Sequence, residues 1–299
     1  MLYFLMLSED EEKLNKEENK MEIGIVGLGL IGGSLAKAIS QNTDHTVYGF
    51  DISDSVIKKA MLVDAIEQPL TDELLPHCDI VIVALYPQAT IEYVKGHADL
   101  FRKDAIVLDC GGVKGIVCDA LEPLAEEKGF LFVGGHPMAG LEHSGFSYAK
   151  KSLFNNASMI FTPTKGPIES IEILKDLFTA IGFTNIEISK AADHDRKIAF
   201  TSQLAHVVSN AYIKSPTAME HAGFSAGSYK DLTRVAKLNE HMWTELFLEN
   251  GDNLVNEIDG LIDELLKYSK AIKENDADTL RELLKDGREK KAIIDGEIF

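Results

Sequence analysis

The sequence of 299 residues contains little cysteine, tryptophan or arginine, and one sign of charge dominates it. The three cysteines, Cys78, Cys110 and Cys118, form no CxxC motif and are odd in number. This usage argues against a disulfide framework and against a thiolate metal site, so we expect a reduced, cytoplasmic chain without a bound metal. No apolar run reaches the ~18 residues that a membrane span requires, so we expect no membrane partner.

Positive charge is also scarce, since 30 Lys and Arg face 48 Asp and Glu and the net charge is −18. Such an excess of negative charge disfavours nucleic acid and anionic membrane surfaces as partners. An anionic small molecule would need a local positive site. The five arginines are the first candidates for it.

The chain divides into three predicted parts. Residues 1–7 are apolar but lack a basic region, and an acidic, lysine-containing stretch follows them, so a secretory signal is not indicated. We expect residues 1–20 to be a disordered extension, or an upstream start ahead of Met21. Residues 21–185 are predicted to form a dinucleotide-binding domain and residues 186–299 a helical substrate and dimerisation domain.

A glycine-rich turn follows the first predicted strand. Gly27, Gly29 and Gly32 stand in a GxGxxG pattern between an apolar run and a helical pattern. Such a turn points backbone N–H groups and a helix N-terminus at a pyrophosphate. Gly27 allows the sharp turn, Gly29 leaves room for phosphate, and Gly32 lets the helix lie against its strand. The glycines would serve equally in a plain tight turn, but the strand–turn–helix context favours cofactor binding.

Asp51 ends the next apolar run and is placed to bind the hydroxyls of an adenosine ribose. Ile52 and Ser53 follow it, and neither can hold a 2′-phosphate, so we expect NAD rather than NADP. The alternative is that Asp51 merely caps the helix that starts near Asp54.

Residues 22–136 alternate apolar runs with helical patterns, which predicts a parallel, Rossmann-type sheet with crossover helices. The carboxyl ends of its strands form the edge at which ligands bind in such sheets. From Lys190 onwards the pattern is almost wholly helical, with helices expected at about 191–214, 230–249, 251–274 and 276–290, so the second domain is predicted to be all-helical. The predicted cofactor contacts are Gly27, Gly29, Leu30, Ile31, Gly32, Asp51, Leu85 and Gly112.

His136 is the first candidate for chemistry, because it follows a predicted central strand, precedes Pro137 and has glycines on both sides. A histidine at that edge, near a bound dinucleotide, is placed for general acid–base work. A histidine before a proline stabilises a turn equally well. Lys114, in a neighbouring strand-end loop, is either a phosphate or nicotinamide contact or a solvated residue at a helix start.

The long helix from about Ala191 carries His194, Asp195 and His206. At 100° per residue, Asp195 and His206 lie within ~20° of one another around a regular helix. Small residues stand between them, as in a helix that lines a cleft. The alternative is a solvated first turn and a core histidine bonded to a carbonyl.

Arg234 is expected in a helix among apolar or small residues, where a guanidinium needs an acidic partner or an anionic ligand. We favour a substrate carboxylate over a structural pair. Trp243, the single tryptophan, follows nearby; packing in the core is the commoner fate of such a residue.

Four stretches together resemble the prephenate dehydrogenases: the glycine turn at 27–34, Gly135-His136-Pro137-Met138-Ala139-Gly140, His194-Asp195 with 202–206, and 231–236 with Met242-Trp243. The resemblance covers about residues 21–295. It implies NAD-dependent oxidative decarboxylation of prephenate, with His136 taking the proton of the ring hydroxyl and Arg234 binding a carboxylate. It also implies a homodimer formed through the helical domain. The residues implied to bind or support the substrate are Glu142, His194, Asp195, His206, Arg234 and Trp243.

Four positions depart from the family pattern: Gly112 where a serine is usual, Gln203 where a histidine is usual, Ala205 where a proline is usual, and Leu141 where a threonine is frequent. They leave open whether the substrate is prephenate or its amino counterpart arogenate. A β-hydroxyacid dehydrogenase or imine reductase would rely on a different group in the helical domain. A non-catalytic NAD-sensing module need not keep His136, His206 and Arg234 together.

Overall fold

The computed structural model describes residues 20–164 and 168–297. Its centre is an eight-stranded sheet with the order β3-β2-β1-β4-β5-β6-β7-β8. The order 3-2-1-4-5-6 is that of a doubly wound dinucleotide-binding fold. The strands are β1 Glu22–Val26, β2 Thr46–Phe50, β3 Gln68–Pro69, β4 Ile80–Val83, β5 Ile106–Asp109, β6 Leu131–Pro137, β7 Ser158–Pro163 and β8 Asn185–Ile188.

The central strands are apolar throughout because both of their faces are buried. In β4, Ile80 and Ile82 belong to one apolar cluster, whereas Val81 and Val83 belong to the cluster on the opposite face. Alternate side chains of a strand point to opposite faces, so an unbroken apolar run is what a strand between two helical layers requires.

Helices cover both faces of the sheet and form the rest of the chain. The five helices between strands are α1 Leu30–Asn42, α2 Asp54–Leu62, α3 Pro87–His97, α4 Gly115–Lys128 and α5 Ile168–Ala180. After the sheet come α6 Ala191–Ile198, α7 Ala205–Tyr212, α8 Gly227–Thr233, α9 Glu240–Glu249, α10 Gly251–Lys273 and α11 Ala277–Ile294. None of these helices is long and apolar enough to cross a membrane.

The sheet differs from the prediction in two details. Strand β7 pairs antiparallel with β6, so the sheet is parallel only from β3 to β6 and again between β7 and β8. Strand β8 crosses the boundary expected between residues 185 and 186 and extends the sheet to Ile188. The predicted extension 1–20 falls almost wholly outside the described residues.

The helical part differs more. The helix expected over about 230–249 is two helices, since α8 ends at Thr233 and α9 begins at Glu240. Asn239 caps the new start, because its side chain accepts a hydrogen bond from the N–H of Met242. The helix expected over about 191–214 contains a π-helical segment, Ala199–Leu204, between α6 and α7. Its wider turns invalidate the 100° spacing that placed Asp195 and His206 on one face.

The loop after β6 rests on α1. Phe146 lies against Gly33, where an added Cβ would come within 2.6 Å of the phenyl ring. The Lys37 ammonium lies 4.4 Å from the centre of the same ring and donates to the carbonyl of Ala149 at 2.8 Å. The loop that leaves His136 is therefore held by the helix that follows the glycine turn.

Candidate active site

The glycine turn has the geometry that a dinucleotide requires. Gly27 has φ +86°, which suits glycine, and an added Cβ would come within 2.7 Å of the carbonyl oxygen of Ala84. A Cβ on Gly32 would lie only 1.9 Å from the carbonyl oxygen of Gly27, so only glycine allows this close approach of helix to strand. A Cβ on Gly29 would meet nothing within 4 Å. The turn is tight at both ends and open in the middle.

That open middle is the N-terminus of α1. Gly29, Leu30 and Ile31 are partly exposed, whereas Gly27 and Gly32 are buried. The first N–H groups of a helix have no partner within the helix, and the helix dipole favours an anion there. No acidic side chain occupies the first turn of α1. A pyrophosphate fits this position.

Asp51 lies beside the turn at the end of β2. One carboxylate oxygen accepts the N–H of Leu28 at 3.0 Å and the other accepts the N–H of Ser53 at 2.9 Å. Ser53, not Asp51, is the residue that precedes α2. Asp51 is partly exposed, and its remaining lone pairs can accept hydrogen bonds from the hydroxyls of a ribose.

Leu85 and Gly112 lie in the loops that follow β4 and β5. The Leu85 side chain packs against Gly27, where an added Cβ would be 2.7 Å from it. Gly112 faces Leu246 of α9, at an ordinary 3.5 Å from the position of an added Cβ. The backbone at residue 112 therefore does not require glycine. These contacts place the loop after β4 at the glycine turn and the loop after β5 against helix α9.

His136 heads a chain of hydrogen bonds that leads into the protein. Its Nδ1 lies 2.9 Å from Nε2 of His194, and Nδ1 of His194 lies 2.7 Å from the Asp195 carboxylate. Carboxylate oxygens only accept, so the proton of neutral His194 lies on Nδ1 and its Nε2 accepts from His136. In neutral His136 the proton is then on Nδ1, and Nε2 has a free lone pair. His136 is partly exposed, so this base can be reached.

The Asp195 carboxylate is fixed from its other side by helix α4. One oxygen accepts the N–H of Lys114 at 2.8 Å, and the second accepts the N–H of Gly115 at 2.7 Å. Both N–H groups lie at the start of a 14-residue helix, where they have no partner within the helix and where negative charge is favoured. His194 is only 1 % exposed and Asp195 only 6 %. This geometry places the His194–Asp195 pair behind His136, as the implied supporting role requires, whereas direct contact of these two side chains with substrate stays a prediction.

Sequence reasoning missed a second buried group, the pair of Lys114 and Asp109. The Lys114 side chain is 0 % exposed, and its ammonium contacts the Asp109 carboxylate and donates to the carbonyl of Gly135 at 2.7 Å. Asp109 also accepts the N–H of Gly135 at 3.1 Å. Both backbone polar groups of Gly135, the residue before His136, are thus held by this pair. Lys114 is neither solvated nor placed to reach a phosphate.

The sequence did contain a signal for this pair. Asp109 ends an apolar strand, where a carboxylate is costly unless it has a partner. Lys114 lies five residues later, within reach if the loop turns back. Removing one partner of such a pair leaves a buried charge and costs about 3–5 kcal/mol.

Burial, and then the proximity of His194 and Lys114, holds the pKa of His136 well below the usual 6.5. His136 is therefore neutral at physiological pH, as a general base must be. The hydrogen bond to His194 thus decides which ring nitrogen of His136 can accept a proton. Burial and the neighbouring His194 and Lys114 keep that ring neutral.

A second cluster lies in the helical part. The ring of His206 packs on Trp243 at a tilt of 31°, with 4.0 Å between the ring centres, and its Nδ1 donates to the carbonyl of Ser202 at 2.8 Å. Burial lowers the pKa of His206, and the positive charge of Arg234 lowers it further, against the effect of the Ser202 bond. His206 is thus neutral and offers Nε2 as an acceptor. Trp243 is partly exposed rather than confined to the core.

Arg234 lies in the turn after α8, not inside a helix as expected, and its side chain is exposed. Among residues 20–164 and 168–297, no carboxylate forms an ion pair with it. Its charge is therefore available to an anion. Glu142 is exposed on the loop after His136.

Gln203 does not face the cleft, although it replaces the histidine usual in the resembled family. It is 2 % exposed, donates to the carbonyl of Leu246 at 2.9 Å and accepts from Asn250 at 2.7 Å. Within the described part of the chain, no cluster of three or more His, Cys, Asp or Glu side chains could hold a metal ion.

Two family models match the chain in succession. Residues 35–187 match the nucleotide-binding domain of prephenate dehydrogenase, and residues 190–286 match its dimerization domain. The two matches include His136 in the first domain and the His206 cluster in the second.

Individual proteins agree with these models. The chain is 31% identical to the cyclohexadienyl dehydrogenase of Zymomonas mobilis, over 91% of this chain and 95% of that protein. It is 30% identical to prephenate dehydrogenase of A. aeolicus, solved with hydroxyphenyl propionate and NAD+, with a TM-score of 0.81 over 92% of this chain and 99% of that one. Arogenate dehydrogenase of Synechocystis is 26% identical, with a TM-score of 0.78 over 92% and 100% of the two chains.

Proposed function

The chain belongs to the prephenate dehydrogenase family, and from that premise we propose that it catalyses the NAD-dependent oxidative decarboxylation of prephenate to 4-hydroxyphenylpyruvate in tyrosine biosynthesis. The observation that carries the proposal is the chain from His136 through His194 to Asp195, which leaves a neutral, accessible base beside a dinucleotide turn.

The residues of the turn fit NAD. Gly29, Leu30 and Ile31 would hold the pyrophosphate, and Asp51 would hold the adenosine ribose. Ile52 and Ser53 follow Asp51, and neither can hold a 2′-phosphate. Leu85 and Gly112 border the same edge. When bound, NAD supplies the acceptor for a hydride. The relative solved with NAD+ supports this assignment.

The proton step falls to His136. Nε2 accepts the proton of the ring hydroxyl while the carbon that bears this hydroxyl loses its hydride and the ring carboxylate leaves as carbon dioxide. The ring becomes aromatic, and the hydroxyl oxygen regains a proton in the product. His194 accepts from Nδ1 of His136 throughout, so the imidazolium that forms is stabilised through His194 by the negative charge of Asp195.

The helical part of the chain supplies the positive charge that would bind the negatively charged substrate. Prephenate carries two carboxylates, and Arg234 provides an exposed guanidinium without a carboxylate partner in the described residues. His206 and Trp243 form an aromatic and hydrogen-bonding wall beside it. We assign Arg234 to a substrate carboxylate and place His206, Trp243 and Glu142 at the substrate's surroundings.

Arogenate is the second candidate substrate, because an arogenate dehydrogenase is among the similar structures. The two substrates differ only in the side chain, an α-keto group against an α-amino group. A comparison of kcat/KM for both, each with NAD and with NADP, tests the proposal. Turnover of neither substrate would reject it and favour a non-catalytic NAD-sensing module.

We further assign the chain to the cytoplasm and to a homodimer formed through the helical domain, since residues 190–286 match a dimerization domain. The domains would divide at about residue 185. Sedimentation of the intact chain and of a truncation after residue 188 tests the assembly, because only the intact chain should form dimers.

A further inference from the structure

A buried pair of amide side chains, Gln203 and Asn250, lies directly behind the proposed relay. Asn250 is 4 % exposed and stands between α9 and α10. Its Nδ2 donates to the backbone carbonyl of Asp195 at 2.8 Å and to Oε1 of Gln203 at 2.7 Å. The Gln203 amide nitrogen donates in turn to the carbonyl of Leu246 at 2.9 Å.

These bonds act at the point where the helix changes its winding. The carbonyl of Asp195 already accepts the N–H of Ala199, the first residue of the π-helical segment, so the donor from Asn250 is a second one. The second donor on the Asp195 carbonyl and the side chain of Gln203 place this amide pair at the two ends of the π-helical segment. π-helical turns inside α-helices occur frequently at functional sites.

The segment sets the positions of both halves of the site. On its N-terminal side are His194 and Asp195, which orient His136. On its C-terminal side is His206, whose ring bonds back to Ser202 inside the segment. Through Leu246 the same amide pair reaches α9, which carries Trp243.

We propose that Asn250, with Gln203, is a positioning residue that acts through Asp195 and His194 on the proton-accepting edge of His136. This inference rests on the proposed function for its catalytic consequence. Its structural content, that Asn250 holds the Asp195–His194 bond in place, is independent of any substrate.

The decisive variant is Asn250→Asp, which preserves shape but removes both hydrogen-bond donors. Asn256→Ala is the matched control, since Asn256 is an exposed asparagine on the same helix α10. Leu254→Ala is the stability control, because it removes buried apolar volume one turn further along α10. Thermal unfolding of each full-length variant separates loss of stability from loss of positioning.

We expect Asn250→Asp to lower kcat by about 10- to 100-fold, as small displacements near the chemistry do. The KM for NAD should stay unchanged, and the solvent deuterium isotope effect on kcat should rise because proton transfer becomes slower. The two controls should keep the kcat and isotope effect of the unmodified protein. An unaltered kcat and isotope effect in Asn250→Asp, or an equal loss of kcat in Leu254→Ala, would overturn the inference.

A second readout needs no turnover. Nitrogen-15 NMR of the nine histidines, assigned with His136→Asn and His194→Gln, reports which ring nitrogen carries the proton. His194 should be protonated on Nδ1 in the unmodified protein and should show mixed tautomers in Asn250→Asp. If neither prephenate nor arogenate is oxidised but this change occurs, the proposed function fails and the positioning inference stands. Unchanged tautomers in Asn250→Asp would refute the inference whatever the activity.

Discussion

Nδ1 of His136 lies 2.9 Å from Nε2 of His194, so the outer edge of the His136 ring is defined by a residue 58 positions later in the chain. In the resembled family a serine usually stands where this chain has Gly112. Here His194, itself bonded to Asp195, performs the orienting task that such a serine could share. The predictions below follow from this arrangement and from its neighbours.

His136→Asn should reduce kcat by about 10²–10⁴-fold, because the amide cannot accept the hydroxyl proton in place of the imidazole. NAD affinity, measured by fluorescence titration, should stay near that of the unmodified protein since the glycine turn is untouched. A kcat within a factor of three of the unmodified protein would show that His136 is not the general base.

Asp195→Asn should lower kcat by about 10²–10⁴-fold through the tautomer of His194. An amide nitrogen facing Nδ1 of His194 would favour a proton on Nε2, and His136 would then carry its own proton on the substrate side. Asp193→Asn is the control on the same helix, since Asp193 is exposed and pairs with Arg196 on the protein surface. Equal activity of the two variants would contradict the relay.

Arg234→Ala should chiefly raise the KM for prephenate, by about 10- to 150-fold, which corresponds to the loss of a charged hydrogen bond of about 1.5–3 kcal/mol. Arg196→Ala is the control, because Arg196 is an exposed arginine paired with Asp193. Steady-state kinetics at saturating NAD measures both. A normal KM in Arg234→Ala would assign the carboxylate to another group.

The rate should remain high as the pH falls through 6.5, because the pKa of His136 lies well below that value and the base stays neutral. The acidic limb of kcat/KM should therefore lie below pH 6.5. The same shift affects stability. In the unfolded state His136 has its ordinary pKa of 6.5 and is protonated at a higher pH than in the folded state. The contribution of His136 to the free energy of unfolding therefore falls as the pH drops below 6.5 and is constant above it. An acidic limb above pH 6.5 would exclude His136 as the titrating base.

Gly29→Ala should weaken NAD binding, whereas Gly32→Ala should lower the thermal stability of the protein. A methyl group on Gly29 meets no protein atom within 4 Å, so this variant should fold with an unchanged Tm but bind NAD weakly. A methyl group on Gly32 collides with the carbonyl of Gly27 and should lower the Tm itself. Calorimetry with and without NAD distinguishes the two. Tight NAD binding by Gly29→Ala would show that the open space is not used.

Local patterns were sufficient for the cofactor half of the site. The spacing of Gly27, Gly29 and Gly32 and the position of Asp51 predicted the turn that the structure shows, because glycine spacing and strand ends are local properties. The resemblance to the family likewise assigned roles to His136 and to the His206 region, and these roles stay predictions.

Local patterns failed wherever distant segments meet. Lys114 reads as a solvated residue at a helix start, and only the approach of Asp109 and Gly135 buries it. The π-helical segment cannot be read from apolar spacing, because the side chain of Asn250, 55 residues from Asp195, bonds at its start. Arg234 lies in a turn because Asn239 begins a new helix a few residues later.

The seat of Phe146 on Gly33 has a practical consequence for cofactor engineering. Exchanging the glycine turn for one from another dinucleotide enzyme, to alter coenzyme preference, would fail if the graft brought a side chain to position 33. Such a side chain would displace Phe146 and the loop that follows His136. A change intended to alter coenzyme preference would then also lower kcat. A transplant that retains glycine there should exchange coenzymes without this loss.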